Sequence, residues 1–305
     1  MRVLIVASGN SSSISPFVKE QADSLRNLGC HIDYFLIKGK GIWGYLKNYF
    51  LLIRTLNNDR CYDIIHAHYG LSGLLAALQP FLPSVITFHG SDVNLNKSNY
   101  LLSRLASRLS TTNIFVHENL LRTLKYFSFQ PNIIPCGVNL DLFRPIPKLD
   151  ARNKLGLDNN YKYILFSSSF DNKIKNAPLA KLAIKDIKNT ILIELKSYKR
   201  SEVNLLLNAV DMLLVTSHSE TGPLVVKEAL ACNCPIISTD VGDVKVLINN
   251  IDNCFITKYD AKNIARKIDF VLTANKISDG RDSVKDLGLD IIAKRVLNVY
   301  KRIMP

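Results

Sequence analysis

Short apolar runs alternate with amphipathic stretches along most of the chain. An apolar run at 2–7 is followed at 16–28 by apolar positions spaced as on one face of a helix. Strands that alternate with helices are typical of a parallel sheet with helices on both faces. In the first half the pattern predicts strands at 31–37, 63–66, 84–88, 113–117 and 132–134, and helices at 43–56, 71–78 and 100–108.

The alternation is interrupted once and then starts again. Two prolines within 141–147, followed by a short charged segment, predict a connection between domains. With 305 residues the chain can form two domains of about 150 residues, each with its own core. Beyond the connection the pattern predicts strands at 163–166, 190–195, 212–215, 235–238 and 254–256, and a last helix at 290–303. We therefore predict an α/β fold with domains at 1–145 and 146–286 and a terminal segment at 287–305.

The charge balance indicates an anionic partner. The composition is that of a globular protein, with 47% hydrophobic and 21% charged residues, and the formal net charge is +13. Such a charge attracts nucleotide diphosphates, phospholipid headgroups or nucleic acid. The sequence contains no nucleic-acid-binding motif, so we expect no nucleic acid partner.

The cysteines and one long uncharged segment bear on the cellular compartment. Six cysteines lack the spacing of a metal site, and we expect reduced thiols in a cytoplasmic protein rather than disulfides. The first apolar run is too short for a signal peptide.

The segment 64–91 contains no Asp, Glu, Lys or Arg and is long enough to span a membrane. Glycine, proline and histidine residues interrupt it, so we predict strand, helix and strand there and no transmembrane helix.

Glu220 and Glu228 give the strongest indication of chemistry. The strand at 212–215 precedes Glu220, and Pro223 suits the first position of a following helix because its φ is fixed and no N–H is needed there. We therefore predict Glu220 in the loop and Glu228 on the helix; the alternative is that both carboxylates are merely solvated. The start of such a helix presents unpaired backbone N–H groups that can bind a phosphate. We expect these groups at Thr221, Gly222 and Leu224.

The segment 217–243 resembles the donor-site signature of the retaining glycosyltransferases of family 4, in which seven residues separate two glutamates. The loop His89-Gly90-Ser91-Asp92 and the segment 134–139 are also similar to that family. The resemblance covers nearly the whole chain and implies the GT-B fold, with two Rossmann-like domains facing a central cleft. It also implies that the terminal helix crosses back onto the first domain; the alternative is a plain terminal helix of the second domain.

The resemblance implies roles for the catalytic residues. Glu228 would accept both ribose hydroxyls of a nucleotide-diphosphate sugar, and Glu220 would hold a hydroxyl of the sugar. Lys175 would bind the diphosphate, and His89 would approach the transferred sugar. We expect Glu228→Ala to weaken nucleotide binding while thermal stability stays nearly intact.

The chain departs from the family at two places in the donor site. No Arg follows the strand at 163–166, so Lys173 is the nearest cation where the family has a guanidinium fork. The run Thr221-Gly222-Pro223 replaces a more glycine-rich loop, and its proline removes one amide donor. The nucleotide base is expected near Lys196 and Tyr198.

Polar residues at the ends of strands in the first half are candidates for the acceptor side, because ligands bind beyond these ends in open α/β sheets. The polar loop at 8–13 follows the first strand. Asp92 lies in the histidine–glycine loop, and His117 and Glu118 lie at the end of the strand at 113–117. The candidates are Gly9, Asn10, Asp92, His117 and Glu118.

The resemblance implies a retaining glycosyltransferase that needs no metal or cofactor and acts in bacterial surface polysaccharide or glycolipid synthesis. Two alternatives remain open at this point: a nucleotide-sugar epimerase or hydrolase on the same fold, and a catalytically inactive nucleotide-sugar-binding subunit. The acceptor would be a saccharide or a lipid-linked sugar. Aromatic residues and lysines alternate at 38–50, which fits either an anionic membrane surface or a core helix with solvated lysines.

Overall fold

The chain folds into two α/β units, each built on its own parallel sheet. This computed structural model describes residues 1–10, 14–39, 41–59, 61–94, 97–125 and 131–304. Unit 1 comprises Met1–Gly137 and Leu289–Pro305, and unit 2 comprises Val138–Gly288. Ser11–Ser13 of the predicted polar loop and Lys40 of the predicted membrane segment lie outside the described residues.

In unit 1, the described strands are all parallel and lie in the order β2-β1-β3-β4-β5-β6. They are β1 (Arg2–Ser8), β2 (His31–Ile37), β3 (Ile64–His68), β4 (Ser84–Phe88), β5 (Thr112–Phe115) and β6 (Asn132–Ile133). The helices between them are α1 (Pro16–Asn27), α2 (Gly41–Asn58), α3 (Gly70–Leu78), α4 (Ser91–Asn94), α5 (Lys97–Leu109) and α6 (Asn119–Leu124).

In unit 2, the described strands are parallel in the order β11-β10-β9-β7-β8. They are β7 (Lys162–Phe166), β8 (Thr190–Glu194), β9 (Met212–Val215), β10 (Ile236–Thr239) and β11 (Cys254–Thr257). The helices are α7 (Lys148–Leu155), α8 (Ala177–Ile184), α9 (Arg200–Ala209), α10 (Leu224–Ala231), α11 (Val244–Leu247) and α12 (Ala261–Ala274). Two 3₁₀ helices span Lys173–Lys175 and Gly280–Leu287, and α13 (Leu289–Ile303) follows in unit 1.

The two faces of the unit 1 sheet are covered by different helices, because successive residues of a strand point to opposite faces. Val3 and Ile5 pack with α1 and α13 on one face. Leu4 and Val6 pack with α2 and α3 on the other face. Ile86 of β4 lies beside Ala67 of β3 in the sheet and packs against α5. The helices α2, α3 and α5 therefore share one face of the sheet.

The terminal helix belongs to the core of unit 1. Its buried side chains are those of Ile292, Ala293, Val296, Val299 and Tyr300. The Tyr300 hydroxyl is 2.5 Å from Nδ1 of His66 on β3, so this helix is fixed by a polar contact as well as by apolar packing.

The units divide after Gly137, whereas the sequence suggested a boundary at 145. Phe143 lies within the core of unit 2 and is 0% exposed. The charged segment after the prolines is α7, which packs in the same unit, and Arg144 and Ile146 donate backbone N–H bonds to Asn204 and Asn208 of α9. The two prolines therefore lie inside unit 2 rather than between domains.

The predicted α/β fold with two parallel sheets is confirmed, and the predicted strands lie within one or two residues of those observed. The uncharged segment 64–91 forms β3, α3 and β4 as predicted. None of the described helices has the length and apolar character required to cross a membrane. One local prediction was wrong: α10 begins at Leu224, and Pro223 precedes it as the N-cap residue with extended backbone.

Candidate active site

Four loops of unit 2 meet beyond the carboxyl edge of its sheet. They follow β7, β8, β9 and β10, whose ends are aligned: Phe166 pairs with Glu194 and with Leu214. This edge carries the residues predicted for the donor site: Lys173, Lys175, Lys196, Tyr198, Glu220, Thr221 and Gly222, with Leu224 and Glu228 on α10. The topology therefore brings residues far apart in sequence to one edge, where ligands bind in open α/β sheets.

Glu220 and Lys175 form an ion pair at this edge. Lys175 Nζ lies 2.5 Å from Glu220 Oε1, and the two side chains are 19% and 12% exposed. The Ser217 hydroxyl donates a 2.7 Å hydrogen bond to the same carboxylate oxygen. The carboxylate is thus held by two donors, and no motif in the sequence indicates the contribution of Ser217.

The 3₁₀ helix that carries Lys173 and Lys175 is attached to the end of β9. The Thr216 hydroxyl is 2.9 Å from the carbonyl oxygen of Lys175 and 3.0 Å from that of Asn176. The His218 N–H donates to the Ile174 carbonyl oxygen at 2.8 Å. The 3₁₀ helix with the two lysines is therefore held against the loop that contains Glu220, and the Lys173 side chain remains exposed.

Glu228 is buried and paired with a residue that sequence reasoning missed. The residue is 2% exposed, and its Oε1 lies 2.7 Å from Nη2 of Arg200, the first residue of α9. Removing one partner of a buried ion pair costs about 3–5 kcal/mol. The expectation that Glu228→Ala leaves thermal stability nearly intact does not fit this burial. We now expect Glu228→Ala to lower the folding stability as well. A buried carboxylate requires a compensating cation, and this requirement could have pointed to Arg200.

The loop before α10 packs against the loop after β10. A Cβ atom on Gly222 would lie 3.2 Å from Asp243 Oδ2, and one on Gly242, whose φ is +57°, would lie 2.8 Å from the Thr221 carbonyl oxygen. Lys227 is 1% exposed, with its Nζ 3.6 Å from Asp243 Oδ2. This buried cation offsets the charge of Asp243 beside the start of α10.

Lys196 and Tyr198 lie on the exposed rim of the same edge. Lys196 Nζ is 3.2 Å from Asp171 Oδ2, and both side chains are largely in solvent. Hydrogen bonds from the Ser169 hydroxyl and Lys196 keep the pKa of Asp171 below its usual value. Tyr198 is 40% exposed. An exposed pair of this kind contributes little to stability, so these side chains can rearrange around a ligand.

Three histidines of unit 1 stack on one another behind the carboxyl ends of β3 and β4. His66 bonds to Tyr300 and, at 2.8 Å, to the Thr87 hydroxyl. His68 Nδ1 is 3.0 Å from His89 Nε2. Burial lowers the pKa of His68 to about 3 and lowers those of His66 and His89 well below the usual value. The cluster is therefore uncharged at neutral pH.

His89 lies at the outer end of this cluster. Its ring is mostly buried between His68 and the rings of Tyr69 and Phe17, and its Nδ1 is 3.7 Å from Cys136 Sγ. It also lines a small pocket together with Phe17, Cys136 and Leu289. The predicted approach of His89 to a transferred sugar stays a prediction.

Asp92, one of the acceptor-side candidates, holds the histidine–glycine loop. Asp92 is 7% exposed, and its carboxylate accepts N–H bonds from His89, Gly90 and Gly70 at 2.8–3.2 Å. Burial raises the pKa of Asp92, and these hydrogen bonds oppose the rise. A carboxylate with this many backbone bonds shapes the histidine–glycine loop rather than offering a free base.

The remaining acceptor-side candidates follow β1 and β5. The Asn10 side chain bonds to both the N–H and the carbonyl oxygen of Gly39, and a Cβ on Gly9 would be 2.8 Å from Leu36 Cβ. His117 Nδ1 accepts the N–H of Asn119 at 3.1 Å, and Glu118 is exposed. Asp92 and Ser8 line a pocket of about 230 Å³ with Tyr45 and Tyr69.

Within the described ranges, no group of three or more His, Cys, Asp or Glu side chains has the arrangement to hold a metal ion. No disulfide joins the described cysteines, four of which are buried.

Comparison with known proteins matches two family models to the chain. Residues 2–142 match the model described as "Glycosyltransferase Family 4", and residues 191–282 match "Glycosyl transferases group 1". The fold, with two Rossmann-like parallel-sheet units, is that of the GT-B glycosyltransferases. Together with the relatives below, the two matches support a glycosyltransferase of group 1.

Individual relatives agree with this family. The glycosyltransferase TuaC of Bacillus subtilis, whose name refers to teichuronic acid biosynthesis, is 28% identical over 71% of this chain and 63% of its own length. A Campylobacter jejuni enzyme named as an N,N'-diacetylbacillosaminyl-diphospho-undecaprenol α-1,3-N-acetylgalactosaminyltransferase is 22% identical over 93% of this chain and 89% of its own. The chain thus spans less than two thirds of TuaC.

Solved structures show the same fold. Sucrose-phosphate synthase of Thermosynechococcus elongatus superposes with a TM-score of 0.83 at 18% identity, covering 99% of this chain and 98% of that one. Anabaena Alr3699/HepE in complex with UDP and glucose superposes with a TM-score of 0.78 at 14% identity, covering 99% and 100%. At these identities the likeness establishes the fold.

Proposed function

We propose that the chain is a retaining glycosyltransferase that moves a sugar from a nucleotide-diphosphate sugar to an acceptor hydroxyl in polysaccharide or glycolipid synthesis. The observation that carries the proposal is the arrangement at the carboxyl edge of unit 2. There the Glu220–Lys175 pair and the start of α10 lie at the same edge of the sheet, and Glu228 follows on α10. The names of TuaC and the Campylobacter enzyme support a role in the synthesis of a polysaccharide or glycolipid.

Each part of this edge has a role in the proposed donor complex. The diphosphate binds at the start of α10, where unpaired N–H groups and the helix dipole favour an anion. Glu228 accepts the ribose hydroxyls, since a carboxylate can take two hydrogen bonds at once. Glu220, held by Lys175 and Ser217, accepts a hydroxyl of the sugar.

The chemistry requires charge to be stabilised as the diphosphate leaves. Negative charge grows on the departing phosphate, and preorganised cations and N–H groups lower its energy. Lys175 and Lys173 supply the cations, both fixed by the attachment of their 3₁₀ helix to β9. In this proposal a phosphate oxygen takes the proton of the acceptor hydroxyl, so the reaction needs neither a metal nor a covalent enzyme intermediate.

A ligand screen followed by turnover tests the proposal. Thermal shift across nucleoside diphosphates and their sugars should show stabilisation by one nucleotide class, because a specific ligand raises apparent stability by mass action. Glu228→Gln should abolish most of that shift. Glu202→Gln is the matched control, because Glu202 caps α9 in the same unit through the Lys199 N–H.

Turnover distinguishes transfer from the other two activities. Release of nucleoside diphosphate that depends on an added acceptor, with retained anomeric configuration in the product, is the expected result. Sugar release without an acceptor, or isomerisation of the donor, would favour a hydrolase or an epimerase. No stabilisation by any nucleotide would contradict the donor site itself.

We also propose that α2 contacts an anionic membrane from the cytoplasmic side. Its buried face packs Leu52 and Leu56 against β1 and β3. Its opposite face exposes large apolar side chains, including Trp43 at 82% and Phe50 at 64%, with Leu46 and Leu51 beside them. An apolar face with lysine or arginine around it is typical of a helix that lies in a membrane interface.

A second helix on the same face of the sheet, α5, has the same character. On α5, exposed apolar side chains recur at helical spacing: Leu101, Leu102, Leu105 and Leu109. Neither α2 nor α5 contains an Asp or a Glu, and together they contain five Lys or Arg residues. This combination of apolar surface and positive charge matches an anionic lipid surface, and a membrane-bound acceptor would then lie near unit 1.

Vesicle flotation tests the membrane contact. Binding to vesicles with anionic lipid at low salt should fall by about tenfold or more in the double variant Trp43→Ser and Phe50→Ser, since each exposed aromatic side chain buries apolar area in the interface. Phe270→Ser in unit 2 is the matched control, because Phe270 is 59% exposed on α12. Equal binding by all variants, or no binding by the wild type, would contradict the contact.

A further inference from the structure

The ion pair between Glu228 and Arg200 is asymmetric in its access to water. The Glu228 side chain is 3% exposed, whereas that of Arg200 is 25% exposed. Solvent therefore reaches this pair mainly at the guanidinium. Any ligand that hydrogen-bonds to the Glu228 carboxylate therefore binds beside the Arg200 guanidinium, which already contacts that carboxylate.

Arg200 is itself fixed by packing. Its Cζ lies 4.6 Å from the centroid of the Phe143 ring, and Phe143 is 0% exposed. Arg200 is also the first residue of α9, directly after the loop with Lys196 and Tyr198. The guanidinium is thus held by a buried ring while it stands next to the loop expected near the nucleotide base.

A second arginine of unit 2 shows what a purely structural pair looks like. Arg152 Nη2 is 3.0 Å from Asp211 Oδ2, and the guanidinium lies 5.1 Å from the centroid of the Tyr163 ring. Here both side chains are 6% exposed, and Arg152 Nε also donates to the Ala209 carbonyl oxygen. Asp211 is also bonded to the Tyr163 N–H, so this pair stabilises the junction of α7 and β7.

We propose that Arg200 is a positioning residue that holds the Glu228 carboxylate for the ribose of the nucleotide donor. The inference rests on the proposed function and extends it to a residue outside the predicted site. A carboxylate removed from water needs a compensating charge, and Arg200 supplies it. The contact with the guanidinium also restricts the rotation of the carboxylate, so the carboxylate keeps the direction that the ribose hydroxyls need.

A comparison of ribose and deoxyribose nucleotides tests this role. The probes are UDP with 2′-deoxy-UDP and ADP with 2′-deoxy-ADP, measured by calorimetry on the full chain. In the wild type, loss of the 2′-hydroxyl should weaken binding about ten- to hundredfold, as expected for a hydrogen bond to a charged group. In Arg200→Met this ratio should fall towards one, and in Arg200→Lys it should be intermediate.

The matched control is Arg152→Met, which should lower the melting temperature but keep the wild-type ratio of ribose to deoxyribose affinity. An unchanged ratio in folded Arg200→Met would overturn the positioning role. If folded Arg200→Met bound neither the ribose nor the deoxyribose nucleotide, the positioning role would be overturned too. That result would indicate a direct contact between Arg200 and the nucleotide. Should Arg200→Met not fold, Arg200→Lys decides: a ratio equal to that of the wild type contradicts the proposal.

Failure of the proposed function gives a different result. If the wild type binds neither UDP nor ADP, or if Glu228→Gln keeps the wild-type ratio, the ribose assignment of Glu228 is itself wrong. If Glu228→Gln lowers the ratio while Arg200→Met leaves it unchanged, only the role of Arg200 fails.

Discussion

Glu220→Gln is the substitution that separates sugar recognition from nucleotide binding. The change keeps the size of the side chain and an acceptor oxygen for the Ser217 hydroxyl, but it removes the charge that pairs with Lys175. The N–O distance is 2.5 Å, and both side chains are less than one fifth exposed. A charge-assisted hydrogen bond of this kind contributes about 1.5–3 kcal/mol, less in proportion to its solvent exposure.

The expected loss of folding stability is therefore about 1–2 kcal/mol, measured by urea unfolding. The affinity for the nucleoside diphosphate should not fall, because Lys175 is no longer shared with a carboxylate. With the complete nucleotide sugar, kcat/KM should fall about ten- to hundredfold, since one contact to the sugar is weakened. Ser217→Ala is the control, because it removes one hydrogen bond to Glu220 and leaves the ion pair.

A specific outcome would refute this reasoning. If Glu220→Gln weakened the binding of the nucleoside diphosphate and of the nucleotide sugar by the same factor, Glu220 would be contacting the phosphates and not the sugar. An unchanged kcat/KM together with a normal fold would remove Glu220 from the site.

Two further predictions concern the histidine cluster of unit 1. The pKa values of His66, His68 and His89 are lowered in the folded chain, so the unfolded chain binds more protons below about pH 6.5. As the pH is lowered below that value, the free energy of unfolding should therefore fall by roughly 1.4 kcal/mol per pH unit for each histidine. Urea titrations between pH 5.5 and 7.5 measure this, and a flat profile would show that the rings are not buried as described. Tyr300→Phe leaves His66 Nδ1 without its hydroxyl partner and should cost about 1–3 kcal/mol, whereas an unchanged unfolding midpoint would argue against that bond.

Much of the fold could be predicted from the sequence because its strands are apolar runs on both faces, which parallel sheets require. The terminal helix could be located by periodicity, but its place in unit 1 came only from the family resemblance. The predicted boundary at 145 lies beyond the division after Gly137, because proline is typical of linkers but here occurs within unit 2. Phe143 and the backbone bonds to α9 show that the same segment is part of the unit 2 core.

The candidate site was predictable in its residue types and not in its pairing. Sequence spacing located Glu220 and Glu228, yet it could not show that Lys175 contacts Glu220 across 45 positions. Arg200 was missed because it begins a helix instead of ending a strand. Asp92 was placed in the correct loop, but only the structure shows its carboxylate bonded to three backbone N–H groups.

The most direct measurement is a crystal structure of the chain soaked with the nucleotide-diphosphate sugar found by the ligand screen. The account predicts phosphate density at the start of α10, a ribose within hydrogen-bond distance of Glu228, and the sugar beside Glu220. A nucleotide bound away from the carboxyl edge of the unit 2 sheet, with both glutamates unchanged, would contradict it.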